Sequence, residues 1–382
     1  MPVQRAAGEP LYLQLKSALQ RQIDSGELQP GDMLPSLREL CRQHQVSSIT
    51  VRRALQELVN EGRLQSQQGI GTFVTARNRH PRLALLILGF YEQEWRRNSG
   101  IFGDLIAGAA TVAWEHDALF SVTKVDPERD PAGFLASIVE ERFFDGLLIR
   151  VLADVRPGDL RPVLDAGLPY VLIKRYIPGH LANCVVVDDV RAAREATGHL
   201  LAHGYRRVAF VCPLGTIVGR DRFAGYRQAL DAHGLPYEPE LVPPVADWFE
   251  ERGYTALKAL MALPRPPEAV FAAGDMLALG AYRAAAELGL RIPRDVAVVG
   301  YDDIPAAATL QPPLTTVRTS YYDFGARATE LLLDLIARRA AGPRQVVLDA
   351  PLVVRQSCGE HGSTKDTKGV GRVSEPGSPS AG

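Results

Sequence analysis

The sequence of 382 residues has few of the features that mark secreted, membrane or metal-binding proteins. It has only four cysteines, Cys41, Cys184, Cys212 and Cys358, and their spacing does not resemble that of metal-ligand pairs. No apolar run approaches the roughly 20 residues of a membrane-spanning helix, and the N-terminus lacks the apolar segment of a signal peptide. We therefore expect a cytoplasmic protein with reduced thiols, no metal, no cofactor and no membrane partner.

An excess of charge of one sign is also missing, since 43 Lys and Arg balance 44 Asp and Glu. The two parts of the chain differ, however. Residues 1–82 hold 11 basic and 7 acidic residues, a net charge of +4, whereas the remainder carries a net charge of −5. A basic excess favours contact with phosphates, although a charge of this size on its own is weak support for nucleic-acid binding.

Residues 9–75 show the pattern of three helices followed by a hairpin. Apolar residues at helical spacing predict the first helix: Leu11, Leu15, Ala18, Leu19 and Ile23. Ser36 and Glu39 form a capping box that begins a second helix, and Ser47 or Ser48 caps a third. A glycine-containing turn through residues 67–71 then joins two short strands. This order is that of a winged helix-turn-helix, which places its recognition helix in the major groove of DNA.

The motifs of this segment resemble those of the GntR family of bacterial repressors. They are Leu-Pro-Ser-Leu-Arg-Glu-Leu from Leu34, Val-Ser-Ser-Ile-Thr-Val-Arg-Arg-Ala-Leu from Val46, and Gly-Ile-Gly-Thr-Phe-Val from Gly69. A solvated helix face is the common setting of a single arginine, but the order of these motifs favours DNA contact. The resemblance implies that these positions face DNA: Ser36, Arg38, Ser47, Thr50, Arg52, Gly69 and Gly71.

One position departs from the family pattern. The family usually carries arginine directly after the Val-Ser pair, where it can bind guanine O6 and N7. Here Ser48 takes that place and cannot make the bidentate contact. We keep Ser48 as a candidate DNA-binding residue, and Arg53, on a more outward face, as the candidate that compensates. The base preference is expected to differ from that of the family.

After a polar, basic stretch at 76–82 that predicts a linker, the pattern changes. Short apolar runs alternate with helical stretches, and the predicted strands are 83–88, 120–125, 146–149, 170–173, 184–187, 208–211, 269–272 and 296–300. Such alternation predicts parallel sheets covered on both faces, and about 275 residues favour two α/β lobes over one. The tail at 359–382 is nearly free of apolar residues, so we expect it to be disordered.

Charged residues follow several of these strands, where ligands of parallel sheets bind. They are Lys174, Arg175, Asp188, Arg220, Arg222, Asp275 and Asp302. Carboxylates accept hydrogen bonds from hydroxyls and guanidinium groups donate to oxygens, so the set suits a sugar, and two cations at 174 and 175 also suit an acidic sugar or a phosphate. An aspartate after a strand can instead cap the following helix. We favour this alternative for Asp189 and Asp303, whereas Asp275 can be a cap and a ligand contact at once.

The second region resembles the LacI/GalR family over residues 83–356. The motifs include Thr-Gly-His-Leu-Leu-Ala-His-Gly-Tyr-Arg-Arg-Val-Ala-Phe-Val from Thr197, Val-Val-Gly-Tyr-Asp-Asp from Val298, and Pro-Pro-Leu-Thr-Thr-Val from Pro312. The resemblance implies an α/β two-lobed periplasmic-binding-protein-like (type I) domain over 83–358, preceded by the α+β winged helix-turn-helix domain. It places 83–187 and 317–341 in lobe 1, and 188–312 and 344–356 in lobe 2.

By the same resemblance, Arg222, Trp248 and Asp302 are the best-supported ligand contacts, followed by Asp275. Trp248 can stack on an apolar sugar face. Gly274 departs from the family, in which asparagine is common just before the aspartate, so the identity of the sugar cannot be transferred from relatives.

A GntR-type head on a LacI-type body resembles the arrangement of the arabinose-repressor (AraR) family. We expect a nucleoid-associated repressor of carbohydrate genes, a homodimer through the effector domain, on a palindromic double-stranded DNA operator. Two alternatives are a sugar-binding protein and an α/β enzyme without a regulatory role. The enzyme is disfavoured because Gly69-Ile-Gly71 lacks the strand-turn-helix setting of a nucleotide site. His199 and His203 lack a third ligand of clear spacing, so we expect ordinary helix histidines.

Overall fold

The computed structural model describes residues 10–67, 69–75, 80–89, 99–125, 130–141, 143–152, 157–179, 181–337 and 343–359. The chain divides into two compact units, one built mainly by residues up to Pro81 and the other by most of the chain after it. Residues 76–79 of the predicted linker and 360–382 of the predicted disordered tail lie outside the described residues, so both predictions stay predictions. No helix in the described ranges is long and apolar enough to cross a membrane.

The first unit contains the predicted three helices and hairpin. Its elements are α1 (Leu11–Asp24), α2 (Leu37–His44), α3 (Ser48–Asn60), β1 (Leu64–Gln67) and β2 (Gly71–Val74). The apolar faces of α1 and α3 meet in a core in which Leu15, Val51, Ala54 and Leu58 are fully buried. Strand β1 pairs with β2 in antiparallel fashion, Gln67 opposite Gly71. The prediction of a winged helix-turn-helix is confirmed.

The second unit alternates strands and helices. Its strands are β3 (Arg82–Leu88), β4 (Leu119–Val125), β5 (Gly146–Val151), β6 (Tyr170–Ile173), β7 (Cys184–Val187), β8 (Val208–Val211), β9 (Ala269–Ala272), β10 (Ala297–Asp302), β11 (Thr315–Arg318), β12 (Gln345–Leu348) and β13 (Leu352–Val353). Its helices are α4 (Ser99–Glu115), α5 (Pro131–Glu141), α6 (Arg161–Leu164), α7 (Asp189–Ala202), α8 (Ile217–Ala232), α9 (Glu250–Met261), α10 (Asp275–Glu287) and α11 (Tyr321–Ile336). Short 3-10 helices lie at Pro157–Leu160, Pro239–Leu241 and Pro305–Ala308.

The strands form two sheets, each the centre of one lobe. The first sheet has the order β12-β7-β6-β5-β3-β4, and the second has the order β13-β11-β10-β9-β8. The pairings β3–β5, β5–β6, β6–β7, β8–β9, β9–β10 and β10–β11 are parallel, and β13 is antiparallel to β11. Central strands such as β5 and β9 are buried on both faces, as expected for sheets covered by helices on both sides.

In the described part of the chain, the backbone passes between the lobes three times: after β7, between β11 and α11, and between β12 and β13. Two of the predicted lobe boundaries are wrong in detail. Residues 315–318 pair with β10 in the second lobe, so the return to lobe 1 follows Arg318 and not the stretch 312–317. Residues 345–348 pair with β7 in the first lobe, so 344–356 is shared between the lobes. These pairings depend on partners distant in sequence, which a local pattern does not specify.

Helix α11 belongs to the first lobe, as predicted, where it packs closely on α4. A Cβ at Gly108 would lie 2.0 Å from the backbone oxygen of Tyr322, and one at Gly325 would lie 2.1 Å from that of Leu105. The two glycines therefore let the helix backbones approach, and this contact fixes the start of α11 beside the ends of β5 and β6.

Candidate functional site

Hydrogen bonds from serine side chains begin both helices of the helix-turn-helix. Ser36 Oγ accepts from the Glu39 amide at 3.3 Å at the start of α2. Ser47 Oγ accepts from the Thr50 amide at 3.2 Å at the start of α3, and the two hydroxyls lie 2.8 Å apart. Ser36, Ser47 and Thr50 thus hold the helix N-termini in place, and the first turn of α3 contains no acidic residue that would repel a phosphate.

The first turn of α3 exposes Ser48 together with Ile49, a residue that the sequence reasoning missed. Ile49 is 78% exposed, which is unusual for an aliphatic side chain in a folded helix. An exposed aliphatic side chain at this end of a recognition helix can contact a thymine methyl group. The sequence could have indicated this exposure, because position 49 does not share the helical spacing of the buried residues Val51, Ala54 and Leu58.

The three candidate arginines of the first unit have different surroundings. Arg38 and Arg52 are exposed, and Arg52 lines a groove of about 530 Å³ with Ser36 and Gly71. Arg53, in contrast, stacks on Tyr12 of α1, with its guanidinium carbon 3.9 Å from the ring centroid. It also donates to the Tyr12 hydroxyl at 3.3 Å. Arg53 is five residues after Ser48, so it lies about 140° around the helix, and the structure does not bring it to the place of the missing arginine.

The hairpin presents a narrow tip. Gly69 has a φ of +78°, which suits glycine, and Ile70 beside it is 67% exposed. A Cβ at Gly71 would lie 2.9 Å from the Met33 sulfur, because Met33 forms a β-bridge with Phe73 from outside the hairpin. The backbone therefore requires glycine at position 69, whereas a side chain at position 71 would displace the Met33 side chain. Ile70 is a second apolar surface residue that the sequence reasoning did not single out.

A cleft between the lobes of the second unit brings together most of the predicted effector residues. Its volume is about 700 Å³, within the range of small-molecule sites. Five predicted or suspected residues line it: Lys174, Arg175, Arg222, Trp248 and Asp302. The lining also includes residues that were missed or ranked low: Arg150, Tyr176, Asp189, Arg220, Asp221 and Tyr321.

Lys174 of lobe 1 is bonded to Asp302 of lobe 2. Its ammonium donates to Asp302 Oδ1 at 2.8 Å and to the Tyr321 hydroxyl at 2.5 Å. Burial alone would raise the pKa of the Asp302 carboxyl, but the Lys174 and Arg222 charges outweigh burial and hold this pKa below its usual value. Lys174 and Asp302 have φ values of 53° and 115°, which non-glycine residues rarely adopt. Such backbone strain is concentrated at functional sites.

Arg222 is the most enclosed cation of the cleft, with 2% of its surface exposed. Its Nε donates to Asp189 Oδ1 at 2.8 Å, and another guanidinium nitrogen donates to the Ala273 backbone oxygen at 2.5 Å. The guanidinium lies 3.4 Å from the Tyr301 ring centroid and 5.4 Å from that of Trp248. Burial would lower the pKa of Arg222, but the Asp189 carboxylate raises it above its ordinary value, so the charge is permanent.

The roles of the two adjacent aspartates are the reverse of those expected from sequence. Asp188 caps α7, since it accepts from the Arg191 amide at 2.9 Å. Asp189, which we expected to be the cap, accepts from Arg222 and from the Tyr301 hydroxyl, the latter at 2.7 Å. The sequence signal was present, because the first aspartate of a pair directly before a helix is already at the capping position.

Asp275 is not part of the cleft lining, contrary to the prediction of a ligand contact. It is fully buried, and its carboxylate accepts from the Thr316 hydroxyl at 2.7 Å and from the Ile304 amide at 2.9 Å. Burial, with a contribution from the nearby Asp302 charge, raises the pKa of Asp275 to about 7. Through these two bonds the residue joins β11 to the loop after β10, behind the cleft.

The neighbouring Gly274 does line the cleft. A Cβ at this position would lie 3.2 Å from the Trp248 ring. The absence of the asparagine that is common in the family therefore leaves this space to the indole.

The far side of the cleft contains a second link between the lobes and a group of arginines. The Tyr176 hydroxyl donates to the Asp221 carboxylate, with the oxygens 3.0 and 3.1 Å away. Burial lowers the pKa of the Arg175 guanidinium, and the charges of Arg150 and Arg220 lower it further. These three like charges line the same cleft from both lobes, so this part of the cleft suits a negatively charged group.

Comparisons with known proteins agree with both units. Residues 11–74 match the family described as bacterial regulatory proteins, gntR family, and residues 197–358 match the periplasmic binding protein-like domain. The arabinose metabolism transcriptional repressor of Geobacillus stearothermophilus is 30% identical over 366 residues, which cover 92% of this chain and 98% of the repressor. The regulator CelR of Thermobifida fusca is 36% identical over 59% of this chain and 65% of that protein.

Solved structures of transcriptional regulators have a similar fold. The complex of the transcriptional regulator CelR with cellobiose matches with a TM-score of 0.65 and 30% identity, over 82% of this chain and 92% of that one. A LacI family regulator from Enterococcus faecium with bound ribose matches with a TM-score of 0.63 and 25% identity, over 72% of this chain and 98% of that one. The chain belongs to the family of bacterial transcriptional repressors that join a GntR-type winged helix to a periplasmic-binding-protein-like effector domain.

Proposed function

We propose that the chain is a repressor of carbohydrate genes whose affinity for its operator is changed by a sugar or sugar derivative in the interlobe cleft. The observation that carries this proposal is the Lys174–Asp302 bond, which joins the two lobes inside the same cavity as Arg222 and Trp248. A ligand in this cavity contacts both lobes, and it therefore changes the free energy of the closed arrangement relative to any other. Relatives crystallised with cellobiose and with ribose support a carbohydrate.

The chemistry of the lining also supports a carbohydrate. Asp302 and Asp189 offer acceptor oxygens to sugar hydroxyls, and the indole of Trp248 offers a flat apolar face. The group of Arg150, Arg175 and Arg220 adds a local positive field. We propose that the effector carries an anionic group, such as a carboxylate or a phosphate, which these arginines bind.

Ligand binding controls DNA affinity only if the two states of the protein bind the ligand differently. The Lys174–Asp302 and Tyr176–Asp221 bonds each join one lobe to the other, so both form only when the lobes are close. A ligand that contacts these groups favours closure. We propose that closure changes the relative positions of two winged helices in a homodimer, and that one of the resulting states fits a palindromic operator.

A dimer through the effector domain is supported by its exposed apolar residues. Trp114 on α4 is 79% exposed, and Val122 lies exposed on β4, which is an edge strand of the first sheet. Exposed edge strands and large apolar side chains are typical of protein interfaces. For DNA we propose contacts by surface residues of α2, α3, their N-caps and the hairpin, with the Tyr12-bound Arg53 at their edge. These residues are Ser36, Arg38, Ser47, Ser48, Ile49, Thr50, Arg52, Gly69, Ile70 and Gly71.

We propose that the cleft binds its ligand without converting it. Four charged side chains of the lining form ion pairs with each other, Lys174 with Asp302 and Arg222 with Asp189. Groups paired in this way are poorly placed to act as a general acid or base. The pKa of the nearby Cys212 thiol is raised by burial, which disfavours a nucleophilic thiolate. The same ligand should therefore be recovered unchanged after incubation with the protein.

A thermal-shift screen tests the proposal. Pairs of carbohydrates that differ in one anionic group, such as a hexose with its uronic acid or its 6-phosphate, are added to the full-length protein. We expect one compound to raise the unfolding temperature, because a ligand of the native state stabilises it, and the anionic member of its pair to have the larger effect. If only neutral members bind, the proposal of an anionic effector is wrong. If no carbohydrate binds, sugar sensing is wrong.

A further inference from the structure

Two histidines and a cysteine meet at the far end of α7, away from the effector cleft. His199 and His203 are one helical turn apart, and Cys358 follows β13 near the end of the described chain. His199 Nε2 lies 3.0 Å from Cys358 Sγ, and the two imidazole rings have centroids 4.4 Å apart. One ligand atom from each residue can be chosen such that all three lie within 4.8 Å of one another. The third member is 159 positions from His199 in the chain, so local spacing could not indicate it.

Hydrogen bonds to neighbouring groups restrain the positions of His203 and Cys358. His203 Nδ1 is 2.8 Å from the backbone oxygen of His199, so it carries the proton and Nε2 carries the lone pair. A second-nitrogen bond of this kind is typical of histidines that bind metals, because it fixes both the tautomer and the ring. Cys358 Sγ lies 3.2 Å from the Thr315 hydroxyl, and the Tyr205 hydroxyl donates to the Cys358 backbone oxygen at 3.2 Å.

We propose that His199, His203 and Cys358 form a site for a transition-metal ion of the Zn²⁺ type. Two imidazoles and a thiolate are ligands for zinc and similar ions, whereas Ca²⁺ and Mg²⁺ require oxygen ligands. Metal–ligand bonds of about 2.0–2.3 Å in a tetrahedral site need ligand atoms roughly 3.3–3.8 Å apart. The three ligand atoms already lie within 4.8 Å of one another, so shifts of about 1 Å in the side chains reach these distances while the His203 Nδ1 bond is kept. The thiol releases its proton to solvent, and water completes the fourth position.

This site is separate from the effector site. Helix α7 begins at Asp189 in the cleft, and His199 lies ten residues further, about 15 Å along the helix axis. The cluster joins α7 to the segment after β13, both in the second lobe. Metal binding would therefore clamp the segment that contains Cys358 to α7, whatever ligand occupies the cleft.

Titration of the full-length, tag-free protein with Co²⁺ and then Zn²⁺ tests the proposal. We expect one Co²⁺ per chain with a thiolate-to-cobalt charge-transfer band, which Zn²⁺ displaces. His203→Gln should weaken the affinity at least about tenfold, since loss of even an indirect partner of a metal site costs that much. Cys358→Ser should abolish the band. Thermal unfolding of each variant without metal shows whether it is folded.

The matched control is His233→Gln. His233 Nδ1 makes the same kind of bond to a backbone oxygen one turn earlier, that of Ala229 at 2.9 Å, but within the described residues His233 belongs to no group of metal-ligating side chains. We expect this variant to bind Co²⁺ like the wild type. Absence of the band in the wild-type protein, its persistence in Cys358→Ser, or equal weakening by His203→Gln and His233→Gln would each overturn the proposal.

Discussion

The two functional regions of this repressor present their charged side chains in opposite ways. On the winged helix, Arg38 and Arg52 are exposed and free to reach a partner that is not part of the protein. In the cleft, Arg222 and Lys174 are buried and already paired with Asp189 and Asp302. An arginine of the first region is expected to contribute to binding but little to stability, whereas an arginine of the second contributes to both. Substitutions in the two regions test this difference.

The largest effect is expected at Arg222. Arg222→Ala leaves the buried Asp189 carboxylate without its guanidinium partner, and loss of one member of a buried ion pair costs about 3–5 kcal/mol of unfolding free energy. The matched variant in the other region, Arg52→Ala, should change that free energy by no more than about 0.5 kcal/mol. Urea unfolding of both variants measures the contrast. Equal stabilities would remove the distinction between the regions.

The next effect is a pH dependence that depends on Asp275. The pKa of its carboxyl is about 7 in the folded protein against an ordinary value of 3.8, so folding favours the protonated form. The associated stability is fully present below pH 3.8 and is lost as the pH rises through about 7. Asp275→Asn should therefore gain about 2–4 kcal/mol relative to wild type between pH 5 and pH 8. Urea unfolding at the two pH values measures this change, and the exposed Asp295→Asn is its control.

A smaller effect is expected for DNA binding by Arg52. Its side chain lines the groove between α3 and the hairpin, and we expect Arg52→Ala to weaken operator binding by about 1–3 kcal/mol. If Arg52 contacts a phosphate, the variant weakens binding equally for all DNA sequences. The slope of log affinity against log salt concentration then becomes shallower by about 1. Arg21→Ala on α1 removes the same charge and serves as the control. Equal losses in the two variants would indicate a general charge effect instead.

The smallest effect concerns Ile49. If its exposed side chain contacts a thymine methyl, replacing that thymine by uracil weakens binding by about 1 kcal/mol, because only the methyl is lost. The Ile49→Ala variant should bind both operators equally. A wild-type protein that is insensitive to uracil at every position of the operator would show that Ile49 does not read the methyl.

The sequence predicted those elements that depend on neighbouring residues. The caps at Ser36 and Ser47, the apolar face of α3 and the eight predicted strands all follow from local periodicity and local hydrogen bonds. The errors concern long-range contacts. Strand β12 pairs with β7 in the first lobe, about 160 residues earlier, and Arg53 is bound by Tyr12 on another helix.

The cleft shows the same limit within one site. Lys174, Arg222 and Asp302 were singled out because they follow strands, and the structure has all three in the lining of the cleft, since the strand ends converge there. It did not separate Asp302, which faces the cavity, from Asp275, which turns towards Thr316 and Ile304. Nor did it separate Asp189 from Asp188. These choices depend on a one-residue difference in where a helix begins, and on polar partners that come from other strands.

The central claim, that the cleft controls DNA affinity, is tested most directly by one measurement. Operator affinity is determined by fluorescence anisotropy, with and without the ligand found by thermal shift, for wild type and for Trp248→Ala. We expect the ligand to change the wild-type affinity at least about tenfold, within the usual range of allosteric coupling. Trp248→Ala should bind the operator like wild type without ligand and lose the response. No change in wild type, or an undiminished response in the variant, would contradict the account.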